Sequence, residues 1–120
     1  MNKKESDFKE RTKSFALKII DLVETLPKGK TADVIGRQLL RAGTSVGANY
    51  RAACRAKSLA DFIAKMGIVE EETDETIYWM ELLIKAGLIN QNDIDDLLNE
   101  AHQLVAMTVA SIKTAKKNRK

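Results

Sequence analysis

Several residue types on which whole classes of protein depend are scarce in this chain of 120 residues. It has one cysteine, one histidine and one proline, and aromatic residues make up 5% of it. A single cysteine forms no internal disulfide, and with one histidine it cannot complete a tetrahedral zinc site. No run approaches the roughly 18 apolar residues of a membrane span, and residues 1–13 lack the apolar core of a signal peptide. We therefore expect a cytoplasmic protein without a membrane contact, a metal or a cofactor.

The residues that are present favour helices. Hydrophobic residues make up 44% of the chain and charged residues 31%, which is typical of a soluble globular protein with one core. Apolar residues recur at steps of three and four, and no strand-like alternation appears. The predicted helices cover about residues 6–26, 31–57, 58–86 and 92–116, followed by a basic tail. With short loops they predict an all-α single domain, 1–120, folded as an antiparallel up-down-up-down four-helix bundle.

Local signals predict where these helices begin and end. Pro27 follows the first helix and cannot extend it. Thr31, Ser58 and Asn92 are the expected caps of the other three, because their side-chain oxygens can accept from free backbone N–H groups. Asp61 stands three residues after Ser58, at the capping-box position.

The second predicted helix contains three glycines, in the stretch GRQLLRAGTSVGANYRAACR that covers residues 36–55. Each glycine inside a helix costs roughly 1 kcal/mol relative to alanine. At about 100° per residue, Gly36, Gly43 and Gly47 fall on one side of the helix. A side without side chains lets another backbone approach closely. The pattern predicts close packing against a helix of the same bundle or of a second subunit.

A cationic edge runs along another side of the same helix. Residues 28–57 carry seven positive charges and one negative charge, whereas residues 58–89 carry two positive and seven negative charges. Lysine and arginine are the side chains that neutralise nucleic-acid phosphates. The candidate nucleic-acid-binding residues are Lys30, Arg37, Arg41, Arg51, Arg55 and Lys57.

The acidic third helix offers a structural explanation for part of this edge. In an antiparallel hairpin that turns near residues 57 and 58, Arg41 stands level with Glu75, and Arg55 stands level with Asp61. Ion pairs there would set the register of the two helices, at less than about 1 kcal/mol each if they are exposed. The cations without an acid opposite them, and so the stronger candidates for an external anion, are Lys30, Arg37, Arg51 and Lys57.

No catalytic constellation is evident. The nucleophiles Ser45 and Cys54 lie in the second helix, whereas the only histidine, His102, lies in the fourth, and a nucleophile needs an adjacent base. The acidic clusters lack EF-hand spacing, and neither a P-loop nor a Glu-x-x-His motif occurs. We therefore expect no enzyme. Glu70 interrupts the apolar stripe of the third helix, so either the stripe turns there or a cation from another helix or subunit meets this carboxylate.

The middle of the chain resembles a bacterial family of four-helix bundles, the proteins encoded in intervening sequences of 23S rRNA genes. The resemblance covers roughly residues 8–90. Three segments carry it: Arg-Ala-Gly-Thr-Ser-Val-Gly-Ala-Asn at 41–49, Ser-x-x-Asp-Phe-x-x-Lys at 58–65, and Glu-Thr-x-Tyr-Trp-x-Glu-Leu-Leu at 75–83.

This resemblance implies an assembly as well as a fold. It implies a ring-like homopentamer of antiparallel bundles, similar to the related accessory protein Avd of diversity-generating retroelements, which works with a reverse transcriptase and nucleic acid. It supplies no catalytic residue. In such a pentamer, the glycine side of the second helix would suit a contact between subunits.

Two functions remain open at this point. The first is a nucleic-acid-binding oligomer that contacts RNA or DNA phosphates, supported by the cationic edge, the basic tail and a pI of about 9.0. The second is an adaptor that presents the acidic third helix, or the faces of the ring, to a basic protein partner. A net charge of only +3 favours the second function.

Overall fold

The computed structural model describes residues 2–119 as four helices joined by short turns. The helices are α1 (Lys3–Glu24), α2 (Lys30–Cys54), α3 (Leu59–Lys85) and α4 (Gln91–Lys117). Consecutive helices run antiparallel and pack side by side, whereas α4 meets α1 least closely. The result is a rod of 51 × 23 × 19 Å. The predicted four-helix bundle is confirmed, and every predicted helix boundary lies within three residues of the observed one. None of the described helices is apolar over a length that would cross a lipid bilayer.

The start of α3 follows its sequence signal. The Ser58 hydroxyl accepts from the Asp61 N–H at 3.0 Å, and the Asp61 carboxylate accepts from the Lys57 N–H at 3.1 Å. These two bonds satisfy backbone donors that a helix start leaves without partners. The capping box predicted at Ser58 is therefore present.

The caps predicted for α2 and α4 are wrong. The residue before α2 is Gly29, not Thr31, and its φ of 148° lies in a region that side chains make costly. Asn90, not Asn92, caps α4, because the Asn90 side chain accepts from the Asn92 N–H at 3.1 Å. In both cases the turn before the helix, rather than the nearest polar residue, determines which residue precedes the first helical turn.

The core is a single apolar column shared by all four helices. Its fully buried members include Phe15, Ile19, Leu39, Met80 and Leu104. Four threonines are also buried, and each donates its hydroxyl to a carbonyl in the preceding turn of its own helix, so no hydroxyl is left unbonded: Thr12, Thr73, Thr76 and Thr108.

The glycine side of α2 packs against α1 of the same chain. A Cβ atom built on Gly43 would lie 2.8 Å from two Cγ atoms of Ile19, closer than real side chains approach. A Cβ on Gly36 would lie 3.0 Å from Leu26, and one on Gly47 would lie 3.2 Å from the Thr12 hydroxyl. The predicted close packing is therefore confirmed, with a helix of the same bundle. Since α1 occupies this side, the expectation that it serves a contact between subunits is wrong.

A polar clamp joins α1 to α4, the pair of neighbouring helices that packs least closely. The Arg11 guanidinium donates to both carboxylate oxygens of Glu100, at 2.6 and 3.0 Å, and to Gln103 at 3.0 Å. The hydrogen bond to Glu100 is the largest cause of a raised pKa at Arg11. A two-pronged arginine–carboxylate pair fixes both the spacing and the angle of the helices it joins.

Replacing Gly43 with alanine should destabilise the bundle, whereas Gly67→Ala should stabilise it. Both glycines lie inside helices, so each substitution gains about 0.5–1 kcal/mol of helix propensity. At Gly67 no atom lies within 4 Å of the added methyl group, but at Gly43 the group meets Ile19. Overpacking there should outweigh the gain and leave a net loss of about 1–2 kcal/mol.

Urea unfolding of both variants measures this difference as shifts of the midpoint in opposite directions, with unchanged m-values. Equal stabilisation by the two substitutions would show that α1 moves away from α2 at little cost.

Candidate nucleic-acid interface

The arginines of the cationic edge of α2 differ in whether a neighbouring helix places a carboxylate beside them. Arg41 leans toward α3, where its guanidinium lies 3.3 Å from a Glu72 oxygen and is bonded to Glu75. The bond to Glu75 is the largest cause of a raised pKa at Arg41. Glu75 also accepts from the Trp79 indole at 3.2 Å. The structure thus contains the predicted Arg41–Glu75 pair, and Arg41 is neutralised by its own chain.

Arg37 also has an acid partner, contrary to the prediction from α3 alone. Its guanidinium lies 2.9 Å from the Asp33 carboxylate, one turn earlier in α2. The Arg37 side chain is 78% exposed and that of Asp33 is 59% exposed, so the pair contributes little to stability. An acid one turn away in the same helix is a partner that the register of α2 and α3 does not reveal.

The predicted pair between Arg55 and Asp61 is wrong. Asp61 binds Lys65 at 2.6 Å, one turn later in α3, and accepts from the Lys57 backbone. The bond from Lys65 and then that from Lys57 lower the pKa of Asp61. Among residues 2–119, no carboxylate forms an ion pair with Arg55. Its side chain lines a groove toward α1 instead.

This α1–α2 groove is lined by four cations and by no acidic residue. It has a volume of about 420 Å³. Lys9 and Lys13 of α1 form one wall, and Arg51 and Arg55 of α2 form the other. Its floor lies at Gly47, where the missing side chain keeps the two helices close. Two rows of cations therefore face each other across a narrow cleft.

The cations of the groove form few ion pairs with carboxylates of the described residues. Within residues 2–119, Lys13 and Arg51 make no ion pair, and Lys9 lies 3.9 Å from Glu5 in the same helix. The floor threonines are occupied, because Thr12 and Thr44 donate to carbonyls of their own helices at 3.1 and 2.7 Å. The donors left for a ligand are the ammonium and guanidinium groups, a set that suits an anion.

Reasoning from the sequence missed half of this groove. Lys9 and Lys13 lie one turn apart on α1, a spacing that places both on one side of a helix. Gly47 packs on Thr12, so residues of α1 and α2 whose numbers sum to about 60 stand level. This α1–α2 register places Lys9 beside Arg51, and it cannot be derived from the turn that joins α2 to α3.

The six cations predicted to bind nucleic acid do not form one site. Arg51 and Arg55 lie together in the groove, and Lys57 follows them in the next turn. Lys30 is exposed at the opposite end of α2, roughly 36 Å away for a helix of this length. The candidate interface is therefore concentrated at one end of the bundle.

Charge is divided along the length of the rod as well as between helices. The half nearest the α2–α3 turn consists of residues 2–17, 43–71 and 105–119, and it carries 13 positive and 6 negative charges. The other half, residues 18–42 and 72–104, carries 6 positive and 11 negative charges. The groove lies in the basic half. A polyanion is therefore attracted to one end of the molecule and repelled by the other.

The comparisons with known proteins place this geometry in a family. The model of the 23S rRNA-intervening sequence protein matches residues 4–110. The chain belongs to the 23S rRNA-intervening sequence protein family. It is similar to a crystal structure of a protein of unknown function from the S23 ribosomal protein family of Bacteroides thetaiotaomicron. The two are 36% identical over 92% of this chain and 98% of that one, with a TM-score of 0.85. No curated protein matches the chain.

The segment that carries much of the resemblance to this family builds the groove. Residues 41–49 contain Gly43 and Gly47, which admit α1, and Thr44, which lines the groove. Its polar side chains are bonded within α2, since Ser45 donates to the Arg41 carbonyl at 2.6 Å and Asn49 to the Ser45 carbonyl. Because the residues of this run are small and their polar groups are hydrogen-bonded within α2, another helix can pack closely against it.

A larger cleft of about 1130 Å³ lies between α1 and α4, beside the Arg11 clamp. Among the described residues, it contains no nucleophile paired with a base. Burial is the largest cause that raises the pKa values of Tyr50 and Cys54, so both are protonated at neutral pH and the thiol is a poor nucleophile. His102 is exposed on α4. Glu70 is half-buried, and no cation of residues 2–119 forms an ion pair with it.

Proposed function

We propose that this protein is a non-enzymatic nucleic-acid-binding protein that uses the basic half of its bundle. The observation that carries the proposal is the α1–α2 groove, in which four cations converge and three make no ion pair among the described residues. Phosphate contacts supply most of the affinity of such surfaces and are independent of sequence. Because none of the residues lining the groove is aromatic, bases find no stacking surface there.

The name of the family suggests which nucleic acid to try first. It refers to an intervening sequence of 23S rRNA, so a structured fragment of 23S rRNA is a sensible probe. A duplex DNA of matched length tests whether the 2′-hydroxyl contributes to affinity. A preference for either polymer would narrow the proposal without changing the contacts that support it.

Binding should weaken steeply with salt, and Arg51→Gln with Arg55→Gln should flatten that dependence. Each phosphate neutralised on duplex DNA adds about 0.9 to the slope of log K against log salt. Losing two contacts should lower the magnitude of the slope by about 2 and weaken binding by about tenfold or more at ~50 mM salt. Fluorescence anisotropy of labelled RNA and DNA across a salt series measures both quantities.

A matched control separates the groove from net charge. Lys28→Gln with Lys85→Gln removes the same two charges from exposed positions in the acidic half. This variant should keep the slope of the natural protein. The proposal is wrong if neither RNA nor DNA binds at low salt, or if the control and the groove variant change the slope equally.

A second candidate function, a protein adaptor, is favoured by the outer face of α3. Ile68 and Tyr78 are 42% and 55% exposed there, although large apolar side chains are usually covered. Exposed Glu71 and Asp74 lie between them in sequence. An exposed aromatic and aliphatic pair among acids suits a basic protein surface.

Tyr78→Ser with Ile68→Ser should abolish capture of a basic protein partner if the adaptor function is correct. Affinity purification from nuclease-treated extract measures it, with Val34→Ser on α2, 56% exposed, as a comparably exposed control. Recovery of RNA alone from untreated extract, with no protein after nuclease treatment, would count against the adaptor.

We also propose that the bundle assembles as a homo-oligomer, the pentamer that the resemblance implies. The support is the outer face of α1, where Leu17 and Ile20, three residues apart, are 58% and 37% exposed. Several grooves on one particle would add avidity for a nucleic acid long enough to span them.

Sedimentation equilibrium should give five times the chain mass of 13.4 kDa. Leu17→Asp with Ile20→Asp should lower that mass while leaving helix content unchanged, because charges on a buried contact are costly. A natural protein that sediments as a monomer at micromolar concentration contradicts this proposal.

A further inference from the structure

The geometry points to a more specific role for the α1–α2 groove. We propose that it is a site for a linear chain of phosphates, in which about three consecutive phosphodiester groups of one strand lie between the two cation rows. Sugars and bases lie outside the groove. This inference rests on the proposed nucleic-acid-binding function and adds the length and chemistry of the ligand.

The length follows from the register of the two helices. Because Gly47 packs on Thr12, Arg51 stands level with about Lys9. Lys13 stands about one turn toward the middle of the bundle, and Arg55 about one turn toward its end. Four residues of helix advance by about 6 Å, so the cations occupy three levels over about 12 Å. A strand that places one phosphate at each of the three levels therefore presents three consecutive phosphates to the groove.

The width of the groove favours one strand over two. Packed helices lie about 8–10 Å apart, and the glycines of α2 bring α1 close, with Gly47 directly against Thr12. A single phosphate backbone can lie over such a cleft and receive donors from both walls. The second strand of a duplex would remain outside, in contact with neither row.

The chemistry of the walls distinguishes a phosphate chain from other anions. Lysine ammonium groups on α1 act as point charges, whereas the guanidinium groups of α2 can donate two bonds to one phosphate. The hydroxyls at the floor are already bonded to backbone carbonyls. A single small anion would use only one level of this arrangement, so a repeating anion gains more from it.

Isothermal titration calorimetry with abasic oligodeoxynucleotides tests the inference directly. Chains of one, three and ten phosphates, each with tetrahydrofuran in place of the nucleosides, carry the backbone without bases. The chain of three should bind about tenfold more tightly than the chain of one at equal ionic strength. The chain of ten should add no more than a few-fold, since the groove is then full.

Variants locate the effect in the groove. Lys13→Gln with Arg51→Gln removes one cation from each wall and should abolish the tenfold preference for three phosphates over one. Lys28→Gln with Lys85→Gln makes the same change of net charge in the acidic half and should preserve it. Affinity that rises steadily to ten phosphates in all variants would show diffuse attraction and overturn the inference.

Two further titrations are needed. One compares inorganic polyphosphate with abasic phosphodiester chains, and the other compares RNA with abasic chains to separate the groove inference from the proposed function. Inorganic polyphosphate that binds while abasic chains do not would overturn the assignment to a phosphodiester strand. RNA that binds while abasic chains do not would overturn the groove inference and leave the proposed function standing. Abasic chains that bind through the groove while RNA and DNA do not would support the site and contradict the proposed function.

Discussion

The close approach of α1 to α2 is the constraint on which the rest of this structure depends. It exists because Gly36, Gly43 and Gly47 present no side chains to α1. These glycines lower the helix propensity of α2 but increase its contact area with α1. Leucine or isoleucine at these positions would separate the helices by the thickness of a side chain. The same proximity brings the lysines of α1 opposite the arginines of α2. The packing of the core and the electrostatics of the surface therefore have one cause.

Neighbouring helices decide which arginines of α2 are available to a ligand. Arg41 leans toward α3 and meets two carboxylates, whereas Arg51 and Arg55 line a groove whose other wall carries two lysines of α1. The two sides of α2 therefore differ. Ion pairs on one side fix its register with α3, and cations on the other side concentrate positive charge beside α1. Net charge conceals this division, because the overall value of +3 is the balance of a basic half and an acidic half.

Periodicity and register predicted the fold and only part of the candidate site. Glycine spacing indicated a close helix contact, and counting back from the α2–α3 turn placed Arg41 beside Glu75. The same counting failed for Asp61, because Lys65 reaches it from within the same helix, a competition that register alone does not resolve. Lys9 and Lys13 give no charge signal in the sequence, because α1 carries nearly equal numbers of both charges. Their importance comes from what lies opposite them, which only the packing of α1 on α2 defines.

Four cations around one narrow groove repel one another, and no carboxylate in the described residues pairs with Lys13, Arg51 or Arg55 to offset that repulsion. In water the cost is tolerable, at about 1 kcal/mol for unit charges 4 Å apart, and salt screens it further. An anion that enters the groove removes the repulsion and gains attraction to both walls, so the unbound protein is poised to accept one. An internal acid would stabilise the bundle slightly and close the site. On the α1 flank Glu5 reaches only Lys9, at 3.9 Å, whereas two carboxylates pair with Arg41 on the α3 flank. This imbalance is the strongest physical argument that the α1 flank binds a ligand.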